Sequence, residues 1–239
     1  MGSVLQVRYL IKYTKESEIK FIAHLDLMRT IQKIIRRSGL PATYSRGFNP
    51  HLNLSIAQPL SVGVYSCGEY MDLPLAEEVD EQEILEKLNS KSASGIKFLA
   101  CTKIVNVEGE KKLPQAMALI DACSYRIKVK YNNIDSLKEE LEIMLNDSEW
   151  KTIKKSKKGE REVDIKSLVY NFEYEIKDNV LIIETLLQSG SKEHLSADLL
   201  VKYIKLKTTN VNEDAFVEIK REEMYYLKGD KYEPLCDIR

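Results

Sequence analysis

Three side chains in the N-terminal quarter of the chain could act in acid–base chemistry or bind a metal. His24 and Asp26 lie two positions apart, and His51 follows in a later segment. Two imidazoles and a carboxylate can form a metal site, and either imidazole could serve as a general acid or base. On a helix, residues two positions apart point in different directions, and Asp26 would also favour a helix N-terminus electrostatically. We therefore keep the three residues as catalytic candidates and expect no metal and no cofactor.

A second set of side chains predicts contact with a polyanion. Four basic residues recur at positions i, i+4, i+7 and i+8 of a predicted helix, which places them on one face opposite its apolar side. No acidic residue follows Asp26 in this segment, so the pattern supplies no i,i+4 ion-pair partner. Such a face can bind phosphates, or it can be the solvated side of an amphipathic helix. The residues are Arg29, Lys33, Arg36 and Arg37.

The segment 45–51 after this helix could add recognition of bases. Arg46 continues the positive charge, an exposed Phe48 could stack on a base, and Asn49 could bond to a base edge. The alternative is structural, with Phe48 in the core and Asn49-Pro50 in a turn. The structural alternative is preferred, because Gly47 would supply an unusual backbone angle beside the Asn49-Pro50 turn.

The densest basic run of the chain lies in its second half, around Gly159. Gly159 suggests the tip of a hairpin, and the run could bind RNA through electrostatic attraction. A solvated loop is the alternative, because charge runs are usually solvated. The candidate RNA-binding residues are Lys154, Lys155, Lys158 and Arg161.

Composition and charge limit the function classes. The chain has 239 residues, 44% hydrophobic and 31% charged, with a formal net charge of −1, which is typical of a folded globular protein. The charge is uneven: residues 1–67 hold nine Lys/Arg and three Asp/Glu, whereas residues 68–110 hold four and ten. Any attraction to polyanions must therefore come from local patches.

Several site classes are excluded by their missing motifs. The four cysteines are scattered, which rules out a zinc or iron–sulfur site within a single loop. No Walker, GxGxxG, HExxH or GxSxG motif occurs. No signal peptide and no apolar stretch of about 20 residues is present. The sequence thus predicts a soluble cytoplasmic protein with reduced, buried cysteines and no membrane contact.

Hydrophobic periodicity predicts an α+β fold with two tandem ferredoxin-like (βαββαβ) modules, at 1–108 and 122–239, joined by a connector. In the first module we expect strands at 4–11, 52–57, 68–75 and 96–107, a helix at 24–38 and a helix after Asp80. In the second we expect strands at 125–131, 172–176, 180–187 and 217–221, with helices near 137–145 and 195–203. Two further short strands, at 150–153 and 163–169, would flank the basic run.

Three segments resemble a known bacterial family. FIAHLDL at 21–27, YSRGFNPH at 44–51 and PLSVG at 59–63, followed by Glu69-Tyr70, are similar to the radical SAM-linked proteins, a domain of unknown function fused to or encoded beside radical SAM enzymes with a cobalamin-binding region. The chain departs from the family pattern at Ala23, usually Ser, and at Leu52, usually Pro. The resemblance implies a radical SAM enzyme as partner, since this chain lacks three closely spaced cysteines.

A second, distant resemblance is architectural: tandem ferredoxin-like modules also occur in the CRISPR repeat-processing endoribonucleases. The leading hypothesis is an RNA-binding accessory protein that works with a radical SAM enzyme in RNA modification or ribosome-related processing, and is not an enzyme on its own. The alternatives are a metal-independent endoribonuclease that uses His24 or His51, and a protein–protein adaptor that binds no RNA.

Overall fold

The computed structural model describes residues 6–105, 112–156, 159–190 and 193–238, apart from the side chains of Lys155 and Ser156. The chain divides into two compact units. Unit 1 comprises Met1–Asp121 and Glu223–Arg239, and unit 2 comprises Ala122–Glu222. Strands and helices occur in both, so the α+β class expected from the sequence is confirmed.

The elements are numbered in chain order. They are β1 (Val7–Lys15), α1 (His24–Ser38), β2 (Ser55–Ile56), β3 (Val64–Leu75), α2 (Glu81–Ser90), β4 (Phe98–Ile104), β5 (Ala122–Lys130), α3 (Leu137–Asn146), β6 (Lys151–Ser156), β7 (Gly159–Asp164), β8 (Val169–Lys177), β9 (Val180–Gln188), α4 (Ala197–Lys207), β10 (Glu218–Lys228) and β11 (Lys231–Pro234). No helix within the described ranges has the length and apolar character needed to span a bilayer.

Unit 1 is built on an antiparallel sheet with β1 inside it. β1 pairs with β3 on one side and with β4 on the other, and β2 pairs with β3, which gives the order β4-β1-β3-β2. Alternate residues of β1 enter the core, as a half-buried strand requires. Helices α1 and α2 pack together, and their apolar side chains complete this core. Its members include Tyr9, Ile11, Tyr13, Leu27, Ile31, Ile34, Met71, Ile84, Leu88 and Phe98.

Helix α1 begins and ends at the residues expected from the sequence. Gly39 follows it with φ of +70°, a left-handed conformation that ends helices readily because glycine has no Cβ. Leu25 of α1 is 57% exposed, whereas Leu27 is buried in the core. Leu27 precedes Ile31 by one helical turn, whereas Leu25 lies on the opposite side of the helix.

Unit 2 repeats part of this arrangement. β5 pairs with β9, β9 pairs with β8, and β10 pairs with β5, giving the order β10-β5-β9-β8. Asp178 and Asn179 form the turn of the β8–β9 hairpin, and both residues have positive φ, as this tight hairpin requires. Trp150 stacks on Tyr203 with ring centroids 5.4 Å apart and donates from Nε1 to the Met144 carbonyl at 2.9 Å.

The C-terminal segment differs most from the sequence-based expectation. The last predicted strand, 217–221, extends to Lys228, and β11, which was not predicted, forms a hairpin with it. Residues from Glu223 onward belong to unit 1 and not to the second predicted module. The physical reason is contact with unit 1, where Leu235 and Ile238 are buried and the Cys236 carbonyl accepts the Thr102 hydroxyl at 3.1 Å.

Candidate nucleic-acid interface

The solvent face of α1 carries the basic residues singled out in the sequence. Leu27, Ile31, Ile34 and Ile35 turn into the core, and this fixes the opposite side of the helix in solvent. The side chains on that side are all exposed: Arg29, Lys33, Arg36 and Arg37. The structure therefore places these four cations on one accessible helix face.

One cation of this face forms an ion pair, at the i,i+3 spacing. Arg29 does have a partner, since its Nη1 lies 2.9 Å from Asp26 Oδ1 one turn earlier. Within the described ranges, no carboxylate lies within ion-pair distance of Lys33, Arg36 or Arg37. Arg36 and Arg37 occupy the last turn, where the helix dipole favours positive charge. Three of the four cations are thus available to an external anion.

Two exposed apolar side chains precede these cations in the chain. Phe21 is 62% exposed and Leu25 is 57% exposed, and Lys20 Nζ lies 5.4 Å from the Phe21 ring centroid. The backbone here is held by the Gly63 N–H, which donates to the Lys20 carbonyl at 2.9 Å. The exposure of these apolar residues was not predicted from the sequence. One signal was present, because Leu25 is out of phase with Leu27, Ile31 and Ile34 on the helix.

The segment 45–51 forms a loop with a closed base. The Ser45 N–H donates to the His51 carbonyl at 2.7 Å, and the His51 N–H donates to Ser45 Oγ at 2.9 Å. Tyr44 and Leu52 form a β-bridge immediately outside this pair. Gly47 has φ of +130°, which residues with a Cβ rarely adopt. The two ends of the loop are therefore fixed to each other.

Phe48 extends from this loop fully into solvent, with a relative exposure of 108%. The alternative in which Phe48 fills the core is wrong. Arg46, Asn49 and Pro50 are exposed beside it. The loop consequently presents an aromatic face, a guanidinium and an amide to any molecule that approaches it.

The three catalytic candidates do not form a metal-binding group. His24 is the half-buried first residue of α1, Asp26 is paired with Arg29, and His51 closes the loop through its backbone. Across the parts of the chain that the structure describes, no group of three or more His, Cys, Asp and Glu side chains could hold a metal. A catalytic role for these residues stays a prediction.

The basic run in unit 2 forms the hairpin β6–β7. Lys154 Nζ donates to the His194 carbonyl at 2.9 Å, and Arg161 lies opposite Lys154 in the register and is exposed. The side chain of Lys155 and the whole of Lys158 lie outside the described residues. Residues 149–166 contain seven basic and four acidic residues, so the hairpin is less positive than its lysines alone suggest.

A polar cluster in unit 1 could not be identified from the sequence, because its members are far apart along the chain. Glu223 accepts from Lys12 Nζ through one oxygen and from the Tyr70 hydroxyl, at 2.7 Å, through the other. Burial, and then the charge of Glu223, raise the pKa of Tyr70. Each donor lies on a different strand from the acceptor, so the cluster joins β1, β3 and β10. It therefore links the C-terminal segment of unit 1 to β1 and β3.

The cysteines are free thiols, as expected, but only Cys101 and Cys123 are buried, whereas Cys67 and Cys236 are half-buried. Cys101 and Cys236 line a cavity of about 640 Å³ beside β4. Burial, and then the charges of Glu81 and Asp80, raise the pKa of Cys101 to about 12. A thiol with this pKa is protonated at neutral pH and is therefore a poor nucleophile.

Comparison with known proteins gives remote structural likenesses and one family. A Cbf5-Nop10-Gar1 complex is similar with a TM-score of 0.49 and 13% identity over 90% of this chain, which spans 48% of the matched chain, about half its length. An unknown protein from Galdieria sulphuraria matches with a TM-score of 0.27 and 10% identity, over 91% of this chain and 98% of that one. Likenesses this remote indicate no function. No curated protein matches the sequence. The profile described as "Uncharacterized protein conserved in bacteria (DUF2344)" matches residues 8–197, and the chain belongs to this family.

Proposed function

We propose that this protein binds RNA through the exposed basic face of α1. The observation that carries the proposal is the group formed by Lys33, Arg36 and Arg37, which is exposed and has no carboxylate partner among the described residues. Like charges one helical turn apart destabilise a helix by a few tenths of a kcal/mol per pair. A cationic group without a carboxylate partner among the described residues, in a chain of net charge −1, supports binding of an anionic ligand.

The length of the basic face favours a polymer over a small anion. Arg29, whose guanidinium also pairs with Asp26, and Arg37 are eight residues apart, which corresponds to about 12 Å along a helix. A single phosphate group cannot contact side chains spread over this distance, whereas consecutive phosphates of a nucleic acid can. Contacts of this type position a nucleic acid without selecting its sequence.

The strand orders support a fold of two divergent ferredoxin-like units. In unit 1 the order β4-β1-β3-β2, with helices after β1 and β3, agrees with a βαββαβ arrangement. In unit 2 the order β10-β5-β9-β8, with helices after β5 and β9, has the same form, and the β6–β7 hairpin is an insertion.

The proposed role is that of an accessory subunit in the cytoplasm. Its support is the resemblance of segments 21–27, 44–51 and 59–63 to the radical SAM-linked proteins. The chain itself has no group of three closely spaced cysteines, so the radical chemistry, which we propose modifies RNA, belongs to the partner. Co-purification with a tagged chain from its native host should recover a radical SAM enzyme, and repeated recovery of unrelated proteins alone would contradict this part.

RNA binding is tested by the salt dependence of affinity. Each phosphate contact on a single strand contributes about −0.7 to the log–log slope, because bound counterions are released. Replacing Arg36 and Arg37 with Ala is therefore expected to flatten the slope by about one to two units and to weaken binding across RNA sequences. Fluorescence anisotropy with labelled RNA at several salt concentrations measures both quantities.

The matched control is the double variant Lys87→Ala/Lys91→Ala. It removes two positive charges, as the Arg36/Arg37 variant does, but from the end of α2, a helix with Glu81 and Glu83 in its first turn. This control should leave the slope unchanged. Equal losses in both double variants would show that only net charge matters and would contradict the proposed face. Wild-type protein with no salt-dependent affinity would favour the adaptor function, and RNA cleavage in EDTA would favour the endoribonuclease.

A further inference from the structure

We infer that the loop 45–51 is a preformed finger on which one unpaired base stacks, so that the RNA is bound as a single strand. The inference rests on the proposed RNA binding and specifies the class of RNA. It concerns Phe48 and its loop, whereas the general affinity was assigned to the cations of α1.

The loop is held in shape without a ligand. Two hydrogen bonds join Ser45 and His51, one to a carbonyl and one to the Ser45 hydroxyl. Outside them, the Asn53 N–H donates to the Thr43 carbonyl at 2.9 Å, and Asn53 Nδ2 donates to Thr43 Oγ1 at 3.0 Å. A loop anchored in this way loses little conformational freedom on binding, which favours affinity.

The surroundings of Phe48 favour a base over a protein pocket. Its chain neighbours, Arg46, Gly47, Asn49 and Pro50, are polar or small, and no other large apolar side chain lies in the loop. Aromatic anchors of protein interfaces are usually surrounded by contacts that exclude water. A solitary phenyl ring beside an amide and a guanidinium suits stacking, with Asn49 available to a base edge and Arg46 to a phosphate.

A duplex cannot use this finger. In a paired RNA helix both faces of each base are already stacked, and the major groove is too deep and narrow for side chains to enter. An unpaired base in a loop, bulge or single strand offers a free face. The geometry therefore implies that single strands bind more tightly than duplexes of the same length.

The test compares a labelled single-stranded RNA with a hairpin duplex of equal length and composition. Wild type should prefer the single strand, and Phe48→Ala should lose about 5- to 150-fold of that affinity while duplex binding stays unchanged. Phe48→Trp should retain the preference, and Phe48→Leu should lose it, because leucine is apolar but has no π face. Ser45→Ala, which removes the acceptor of the His51 N–H, should lose part of the preference. The control is Phe216→Ala, which removes an exposed phenylalanine of unit 2 and should leave the preference unchanged.

The outcomes separate this inference from the proposed function. Three results would overturn the stacking finger and leave RNA binding by α1 intact. In the first, Phe48→Ala binds both RNAs as tightly as wild type; in the second, Phe48→Leu keeps the preference for the single strand. In the third, the wild type prefers the duplex. Absence of salt-dependent binding to both RNAs would overturn the proposed function together with it. Thermal melting should show Phe48→Ala as stable as wild type, since the side chain is fully exposed; a lower melting temperature would itself contradict the free finger.

Discussion

At the scale of single residues, His194 connects the basic hairpin to the rest of unit 2. Its carbonyl accepts Lys154 Nζ, and its Nδ1 lies 3.4 Å from Ser189 Oγ. Burial lowers the pKa of His194 below its ordinary value of 6.5, and the positive charges of Lys154 and Arg221 lower it further. The folded protein therefore holds this imidazole neutral under conditions in which an unfolded chain would protonate it.

This depressed pKa predicts a loss of stability on acidification. As the pH falls below about 6.5, the unfolded state takes up the proton before the folded state does, so the free energy of unfolding decreases by up to about 1.4 kcal/mol per pH unit until the folded pKa is reached. Urea unfolding between pH 7.5 and 5.5 measures the slope. His194→Gln should remove this contribution, and a variant with the wild-type slope would show that other groups cause it.

At the scale of elements, α1 shows where sequence patterns are informative. Apolar spacing and Gly39 predict the bounds of α1. Alternation and turn residues predict the succession of strands and helices along the first half of the chain. The exposure of Phe48 could not be predicted, because a phenylalanine near a turn is compatible with either core or solvent. The cluster of Lys12, Tyr70 and Glu223 could not either, since contacts between distant segments leave no local pattern. The membership of a bacterial family of unknown function is confirmed, whereas the radical SAM partnership stays a proposal.

A single substitution at the N-terminus of α1 is expected to stabilise the protein. Ala23 occupies the N-cap position with extended backbone angles and makes no side-chain hydrogen bond to the first turn. Replacing Ala23 with Ser should supply an acceptor for the N–H groups of that turn and raise the free energy of unfolding by about 1 kcal/mol.

The corresponding destabilising variant is Asp80→Ala at the N-cap of α2. Asp80 accepts from the backbone N–H groups of Gln82 and Glu83 at 2.9 and 3.1 Å. The substitution should lower the free energy of unfolding by about 1 kcal/mol. Chemical denaturation of both variants measures the changes. No gain in Ala23→Ser would mean that the first turn of α1 is already satisfied by water.

At the scale of the whole molecule, unit 1 is assembled from both ends of the described chain. Glu223 joins Lys12 and Tyr70, and the turn after β11 places Leu235 against β1 and β4. Unit 2 is inserted between these two parts of unit 1.

A chain that ends at Glu222 is therefore expected to lose stability in unit 1. Burial of Leu235 and Ile238 contributes about 1.5–3 kcal/mol each, so the loss should reach about 3 kcal/mol or more. Hydrogen exchange should show lower protection in β1, β3 and β4 than in β5 and β9. Glu223→Gln in the full chain should lose less, and equal protection in all five strands would contradict the discontinuous unit.

The insertion of unit 2 also sets an order of events during synthesis. The ribosome must translate the 101 residues of Ala122–Glu222 before Glu223 appears, which takes about 5–20 s at bacterial and eukaryotic elongation rates. Throughout that interval Met1–Asp121 lies in the nascent chain without the segment from Glu223 onward that belongs to the same unit, and unit 2 is itself still being made. Of the two units, unit 1 therefore spends the longer time incomplete in the nascent chain, and chaperones that bind during this interval can meet its N-terminal part.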